Sequence, residues 1–293
     1  FNGVYFTIQA IRMYHREVVQ DIEFIIIDNN PNHKEGQTVK QFAPWVKTPK
    51  QDKPNCKYIP NTEWNSTACR QLIFDNASAP HVLCIDCHVL IVPGALKKLI
   101  DFYDDNPKTN DIFHGPLLDD AQALMATHME PVWSYNMYGK WSKDKEAEVK
   151  KGDPFEIPMT GLGLFSCRKD AWLGFNRAFR GFGGEEGYIQ RKFRKKGHKG
   201  MCLPFLGWLH RFQRPQGVPY RCEYLDRIRN YFIGWLELGD DTQEIIDYFS
   251  KPNELDGQTR TAISVDKLRL IEKKCKLELE MASVDASIDK LQN

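Results

Sequence analysis

His81-Val-Leu-Cys-Ile-Asp86-Cys-His88 joins an apolar run of strand length to two metal-competent side chains one residue apart. On an extended backbone, alternate residues project to the same face, so Asp86 and His88 can grip one divalent cation where the strand stops. Upstream, Glu23-Phe-Ile-Ile-Ile27 is a second continuous apolar run, closed by Asp28-Asn-Asn-Pro31 as a turn. Runs without polar alternation mark strands covered on both faces. Helical spacings precede each run: Val4, Ile8, Ile11 and Tyr14/His15 predict a helix from Val4 to His15 ahead of the first. Ala68, Leu72 and Ile73 predict another over 61–77, capped by Asn65 or Ser66. Alternating helices and strands predict an α/β fold, a mostly parallel sheet flanked by helices, with ligands beyond the carboxyl ends of the strands. Asp28 and Asp86 both fall at such ends.

Downstream, Pro93 to Tyr103 reads as a helix with proline in its first turn. Ile112 to Leu118 reads as one short strand, and 119–158 as an irregular, aromatic-rich wall or lid. Gly161 and Gly163 precede a strand at Leu164–Arg168, where glycine permits close backbone approach. Phe179-Arg-Gly-Phe-Gly-Gly-Glu-Glu186 is a glycine-rich turn leading into a helix over 187–196. Tyr224, Ile228, Tyr231, Phe232 and Trp235 line one face of a later helix, and 263–290 is a charged, weakly periodic packing or oligomer segment. These boundaries divide the chain at 220/221 into a catalytic domain and a C-terminal helical extension.

The chain has 293 residues, 42% hydrophobic and 27% charged, the composition of a globular protein with a full core. Its net charge of +1 favours no partner. Locally, residues 191–229 hold eleven Lys/Arg against Glu223 and Asp226, which leaves two readings: a grip for a polyanion, or a solvated helix surface. No apolar run approaches the roughly 20 residues that cross a bilayer. Eight scattered cysteines fit reduced thiols in a cytoplasmic setting. Cys84 and Cys87 form a lone Cys-x-x-Cys inside a strand, a poor zinc or redox site. The Asn-x-Ser/Thr matches at Asn65 and Asn76 are read as chance.

Taken in order, the strand ending in Asp28, the helix ending Ala-Cys-Arg70, Asp86-x-His88 and Gly183-Gly-Glu-Glu186 resemble nucleotide-sugar glycosyltransferases of the GT-A fold, nearest the family 2 type. The likeness spans about residues 4–215. Pieces also resemble polypeptide N-acetylgalactosaminyltransferases and beta-4-galactosyltransferases. The resemblance implies a sugar moved from a nucleoside-diphosphate donor, UDP-linked, to an acceptor hydroxyl, with Mn2+ or Mg2+ as cofactor. A metal ion there neutralises the leaving diphosphate, and the imidazole of His88 points to Mn2+. Asp86 and His88 are the implied ligands, with His210 as the third and His198 as the fallback, since the family pattern aligns either His210 or Gly207 with its downstream histidine. Asp28, Asn65, Arg70, Asp86, Gly161, Gly183 and Gly184 are the implied donor contacts. On that resemblance, the first strand of the fold, with its nucleotide-binding turn, is expected to be missing ahead of Phe1.

An inverting transfer needs a carboxylate to take the acceptor proton. The galactosyltransferase pattern assigns this to Glu186, with Glu185 on sugar hydroxyls, whereas the retaining N-acetylgalactosaminyltransferases have Asn at that place. Blander readings stand beside these. Both glutamates suit a helix N-terminus, Asp28 suits a turn, Arg70 suits a surface, and Trp133, Trp141, Trp172 and Trp208 suit a core as well as a sugar platform. The acceptor is a glycan, a small molecule or, through the basic stretch, hydroxymethylated DNA. A nucleotide-sugar-binding or carbohydrate-binding protein without turnover, and a nucleotidyltransferase, are the competing classes.

Overall fold

The computed structural model describes residues 3–47, 55–212, 222–255 and 258–292. Helix Val4–Tyr14 (α1) leads to strand Phe24–Asp28 (β1), and helix Lys34–Phe42 (α2) to strand Cys56–Pro60 (β2). Helix Gln71–Asn76 (α3) then precedes strand His81–Ile85 (β3). Phe24 and Ile26 pack with Ile8 and Ile11 on one side of the sheet, while Ile25 and Ile27 meet Leu72 and Ile73 of α3 on the other. β3 divides the same way, with Val82 and Cys84 to one core and Leu83 and Ile85 to the other. Helices on both faces are why these runs are apolar throughout.

The chain continues through Val89–Ile91 (β4), Ala95–Asp105 (α4), Ile112–His114 (β5), Leu117–Leu118 (β6), Leu124–Ala126 (β7), His128–Ser134 (β8), Met137–Ser142 (β9), Glu146–Lys151 (α5) and Phe155–Ile157 (β10). Leu164–Arg168 (β11), Glu185–Lys195 (α6), Gly200–Cys202 (β12) and Trp208–His210 (β13) follow. A five-stranded sheet runs β10-β12-β5-β11-β3, a four-stranded one β4-β13-β6-β7, and β1 pairs with β2.

The α/β class with flanking helices is as expected, but the pairing is mixed rather than mostly parallel. β1/β2, β5/β12 and β6/β13 are parallel, whereas β11 runs antiparallel to both β3 and β5. The cause is the excursion over 119–158, which returns the chain at the end where β3 finishes. It is also not irregular: β8 and β9 form a hairpin turned by Tyr135 and Asn136, both at positive φ. The expected strand 112–118 splits between two sheets at Gly115, where any Cβ would lie 1.7 Å from the Leu206 carbonyl oxygen. The helix expected over 61–77 starts only at 67, as a 3-10 turn over Thr67–Arg70, and Ser66 rather than Asn65 caps it by accepting from the Ala68 N–H.

Helices Tyr224–Leu238 (α7), Gln243–Phe249 (α8) and Val265–Gln292 (α9) close the chain. The boundary placed at 220/221 lies outside the described residues. Beyond it, Ile228, Tyr231, Phe232 and Trp235 enter the same core as Tyr188 and Phe193 of α6. The basic stretch explains the attachment: Arg191 pairs with Asp240 and Glu244, Lys192 with Glu237, Lys195 with Asp240 and Arg229 with Glu278. Lys199 pairs with Glu156, and Arg194 donates to the carbonyls of Ile157 and Pro158. Arg214 and Arg221 lie outside the described residues. No helix among the described residues is long and apolar enough to cross a membrane.

Candidate active site

The mixed pairing of β3 and β11 decides where Asp86 sits. Its backbone N–H donates to the Gly163 carbonyl at 2.9 Å, so the first residue past β3 is held against the entry of β11. Its side chain is shared between two groups. Oδ1 accepts from Arg70 Nη2 at 2.6 Å, while Oδ2 lies 3.5 Å from His210 Nε2 and 3.6 Å from His88 Nε2. The two imidazole Nε2 atoms are 3.0 Å apart. Burial acts to raise the Asp86 pKa, but the Arg70 charge and hydrogen bonds from His210 and His88 outweigh it and hold the carboxyl well below its usual range.

His210 reaches this point because β13 pairs antiparallel with β4, setting His210 opposite Val89 and so beside His88. Gly163 permits the approach, since a Cβ there would meet His210 and Trp208 at about 3 Å. A triangle with edges of 3.0–3.6 Å matches the roughly 3 Å ligand separations around a small divalent ion with bonds near 2.1 Å. One carboxylate and two imidazoles also form a donor set for Mn2+ or Zn2+. His198 lies elsewhere, its ring edge-on to Phe193.

The glycine-rich turn brings the two glutamates to the same region. Gly183 and Gly184 both have φ 99, a conformation that side chains resist, and a Cβ on either would strike α7 at 2.8 Å. α6 therefore begins at Glu185, two residues earlier than the sequence predicts, and both acids occupy its first turn. Glu185 is buried, accepts from Thr67 Oγ1 and lies 3.8 Å from Arg70 Nη1. Arg70 thus bridges Asp86 and Glu185 and is no surface arginine. Glu186 accepts the Leu162 N–H at 3.4 Å. Burial and the neighbouring Glu185 charge raise its pKa to about 7.

Other expected contacts are placed less directly. Asp28 Oδ1 accepts the Asn30 N–H at 2.9 Å and Oδ2 accepts Tyr58 Oη at 2.8 Å, which makes it the lock of its own turn. Burial and that hydrogen bond push the Tyr58 phenol up to about 12. Asn29 extends the turn toward Cys69 beside Arg70. Asn65 is exposed, and its carbonyl accepts the Gly181 N–H at 2.7 Å. Gly161 faces Trp141, whose indole a Cβ would meet at 2.2 Å. Trp208 is fully buried, and Trp172 stacks on Phe74, so neither is a platform. Cys84 is buried with its thiol pushed up to about 12 by desolvation, while Cys87 is exposed, so the pair presents no shared thiol site.

Two positioning residues escaped the sequence reading. Thr67 holds Glu185, and Asn230 of α7 donates to the Arg180 and Gly183 carbonyls at 2.7 and 2.8 Å while accepting the Arg180 N–H at 2.9 Å. Asn230 falls off the apolar face of Tyr224, Ile228, Tyr231, Phe232 and Trp235, so the helical period alone gave no signal for it.

Among solved structures, that of GalNAc-T7 with UDP, GalNAc and Mn2+ is similar at a TM-score of 0.59 and 15% identity, over 98% of this chain and 55% of that one. The chain thus spans about half the length of that structure, and the likeness shows the GT-A fold. The S. aureus TarS 1-349 structure is similar at a TM-score of 0.45 and 11% identity, over 85% of this chain and 67% of that one. Its complex with UDP gives 0.45 and 12%. No curated protein matches the sequence. Residues 4–172, more than half of the chain, match the family model for Glycosyl transferase family 2, a segment that holds Asp28, Arg70, Asp86 and His88. The chain belongs to glycosyl transferase family 2.

Proposed function

We propose that the enzyme moves a sugar from a nucleoside-diphosphate donor, UDP-linked, to an acceptor hydroxyl with inversion, using Asp86, His88 and His210 to hold a divalent cation and Glu186 as the base. The observation that carries this is the convergence of three metal-competent atoms, drawn from two strand ends, beside a half-buried glutamate whose pKa is raised to about 7. The similar GalNAc-T7 structure contains UDP and Mn2+, which supports the same donor class and ion. A cation held by the triad would draw charge from the diphosphate as the anomeric bond breaks.

The chain's own residues then have distinct tasks. Arg70, held by the Thr67 carbonyl at 2.9 Å, orients Asp86 so that Oδ2 faces the histidines. Glu186, ionised, takes the proton of the acceptor hydroxyl as that oxygen bonds the anomeric carbon and the diphosphate leaves with the bonding electrons. Glu185, anchored by Thr67, is a sugar-hydroxyl contact. Because the described cations of 191–229 are largely paired with carboxylates, a neutral glycan or small-molecule acceptor is favoured over DNA.

The test is a thermal-shift series with UDP and Mn2+. A ligand that binds the folded form alone raises the melting temperature. Wild type is expected to shift with both present, and Asp86→Ala to lose the shift. An equal shift in the variant would remove Asp86 from the site.

A further inference from the structure

Helix α9 carries two apolar stripes with different fates. Leu268 and Cys275 are buried in the core shared with α7, and buried Glu272 accepts from Thr242 Oγ1 at 2.7 Å. The second stripe faces solvent: Leu270 is 68% exposed, Leu277 51%, Met281 67%, Val284 58% and Ile288 45%. Their successive spacings of seven, four, three and four residues are those of a coiled-coil seam. A solvated face has no reason to repeat apolar residues at that period. From Met281 to Lys290 every residue is exposed, so these turns project beyond the body of the molecule. A lone helical segment of that length is marginal in water.

Charge selects the partner. Residues 265–276 carry five Lys/Arg against two acids, and residues 277–292 carry four acids against one lysine, so the halves net +3 and −3. A parallel copy would set like charge on like, whereas an antiparallel copy lays each basic half along an acidic one. An overlap centred on Leu279 sets Leu270 across from Ile288 and Leu277 across from Met281. Lys274 takes the remaining seam position opposite Val284, and a single polar seam residue is a register device. The overlap is two-fold symmetric and therefore closes as a dimer.

We infer that α9 is an antiparallel coiled-coil element that pairs this chain with a second copy of itself. Analytical ultracentrifugation of the full chain at low salt is expected to give twice the 34.0 kDa protomer mass. The double variant Met281→Lys, Ile288→Lys is expected to weaken association at least about tenfold. Because both residues are solvent-exposed, its near-ultraviolet circular dichroism, which reads the packed aromatic core, should match the parent's, while loss of pairing lowers the melting temperature. A monomeric wild type, or a double variant that dimerises as tightly, overturns the inference. Orientation is read by mixing Leu270→Cys protein with Ile288→Cys protein, each also carrying Cys87→Ser and Cys222→Ser, under mild oxidation. The mixed disulfide is expected. Cross-linking of Leu270→Cys protein to itself in preference overturns the antiparallel arrangement.

Discussion

Replacing Glu186 with glutamine should change stability and turnover in opposite directions, because the same surroundings set both. The Glu186 pKa is raised from 4.5 to about 7, by burial first and by Glu185 second. A carboxyl whose folded pKa exceeds its unfolded value keeps its proton longer in the native state, so stability falls as pH climbs between the two. At about 1.36 kcal/mol per unit, the shift costs about 3 kcal/mol, incurred from about pH 4.5 to 7. Glutamine does not ionise. Glu186→Gln should therefore melt like the parent near pH 4 and be up to about 3 kcal/mol more stable near pH 8. Turnover moves the other way, falling roughly 10²- to 10⁴-fold for loss of a general base, with the donor KM little changed. In the parent, kcat/KM should rise about tenfold per unit at low pH and level off above about pH 7. UDP release measured across pH, together with thermal melts of both proteins, checks all of this. Turnover by the variant within about threefold of the parent, or a parent rate flat between pH 5 and 7, refutes the base assignment.

His210→Ala should weaken Mn2+ affinity by roughly 10- to 100-fold and restore rate as Mn2+ is raised, a dependence that titration of activity with the ion measures directly. Asn230→Ala removes three hydrogen bonds to the glycine-rich turn and should cost about 2–3 kcal/mol in urea unfolding while lowering kcat more than it raises KM. Gly184→Ala, forced to φ 99 against Asn230, should lose both stability and turnover, whereas Gly197→Ala, with φ 77 but no atom within 4 Å of its Cβ, should keep turnover.

Much of the chemistry was legible because it is local. Asp86 and His88 are two residues apart, so their shared direction follows from strand periodicity alone. Gly183 and Gly184 announced a turn, and the acids after them a helix start. His210 was harder, being 122 residues from His88 in sequence. Its place depends on β13 pairing with β4, a register that no local pattern encodes. The tasks of Thr67, Arg70 and Asn230 were hidden for the same reason, since each acts on a group from a different segment. The Tyr135-Asn136 turn was missed because its left-handed conformation is carried by residues other than glycine.

Sequence alone determined the apolar runs, the helices flanking them and the metal-competent pair at the end of β3, all products of short-range periodicity. Tertiary structure decided the antiparallel entry of β11, which seats Asp86, and the sharing of Asp86 between Arg70 and two histidines. It also turned the basic stretch from a surface into the ion-paired seat of α7 and α8. Pairing direction and charge partnership depend on which segments meet, and that is set by the packing of the whole chain.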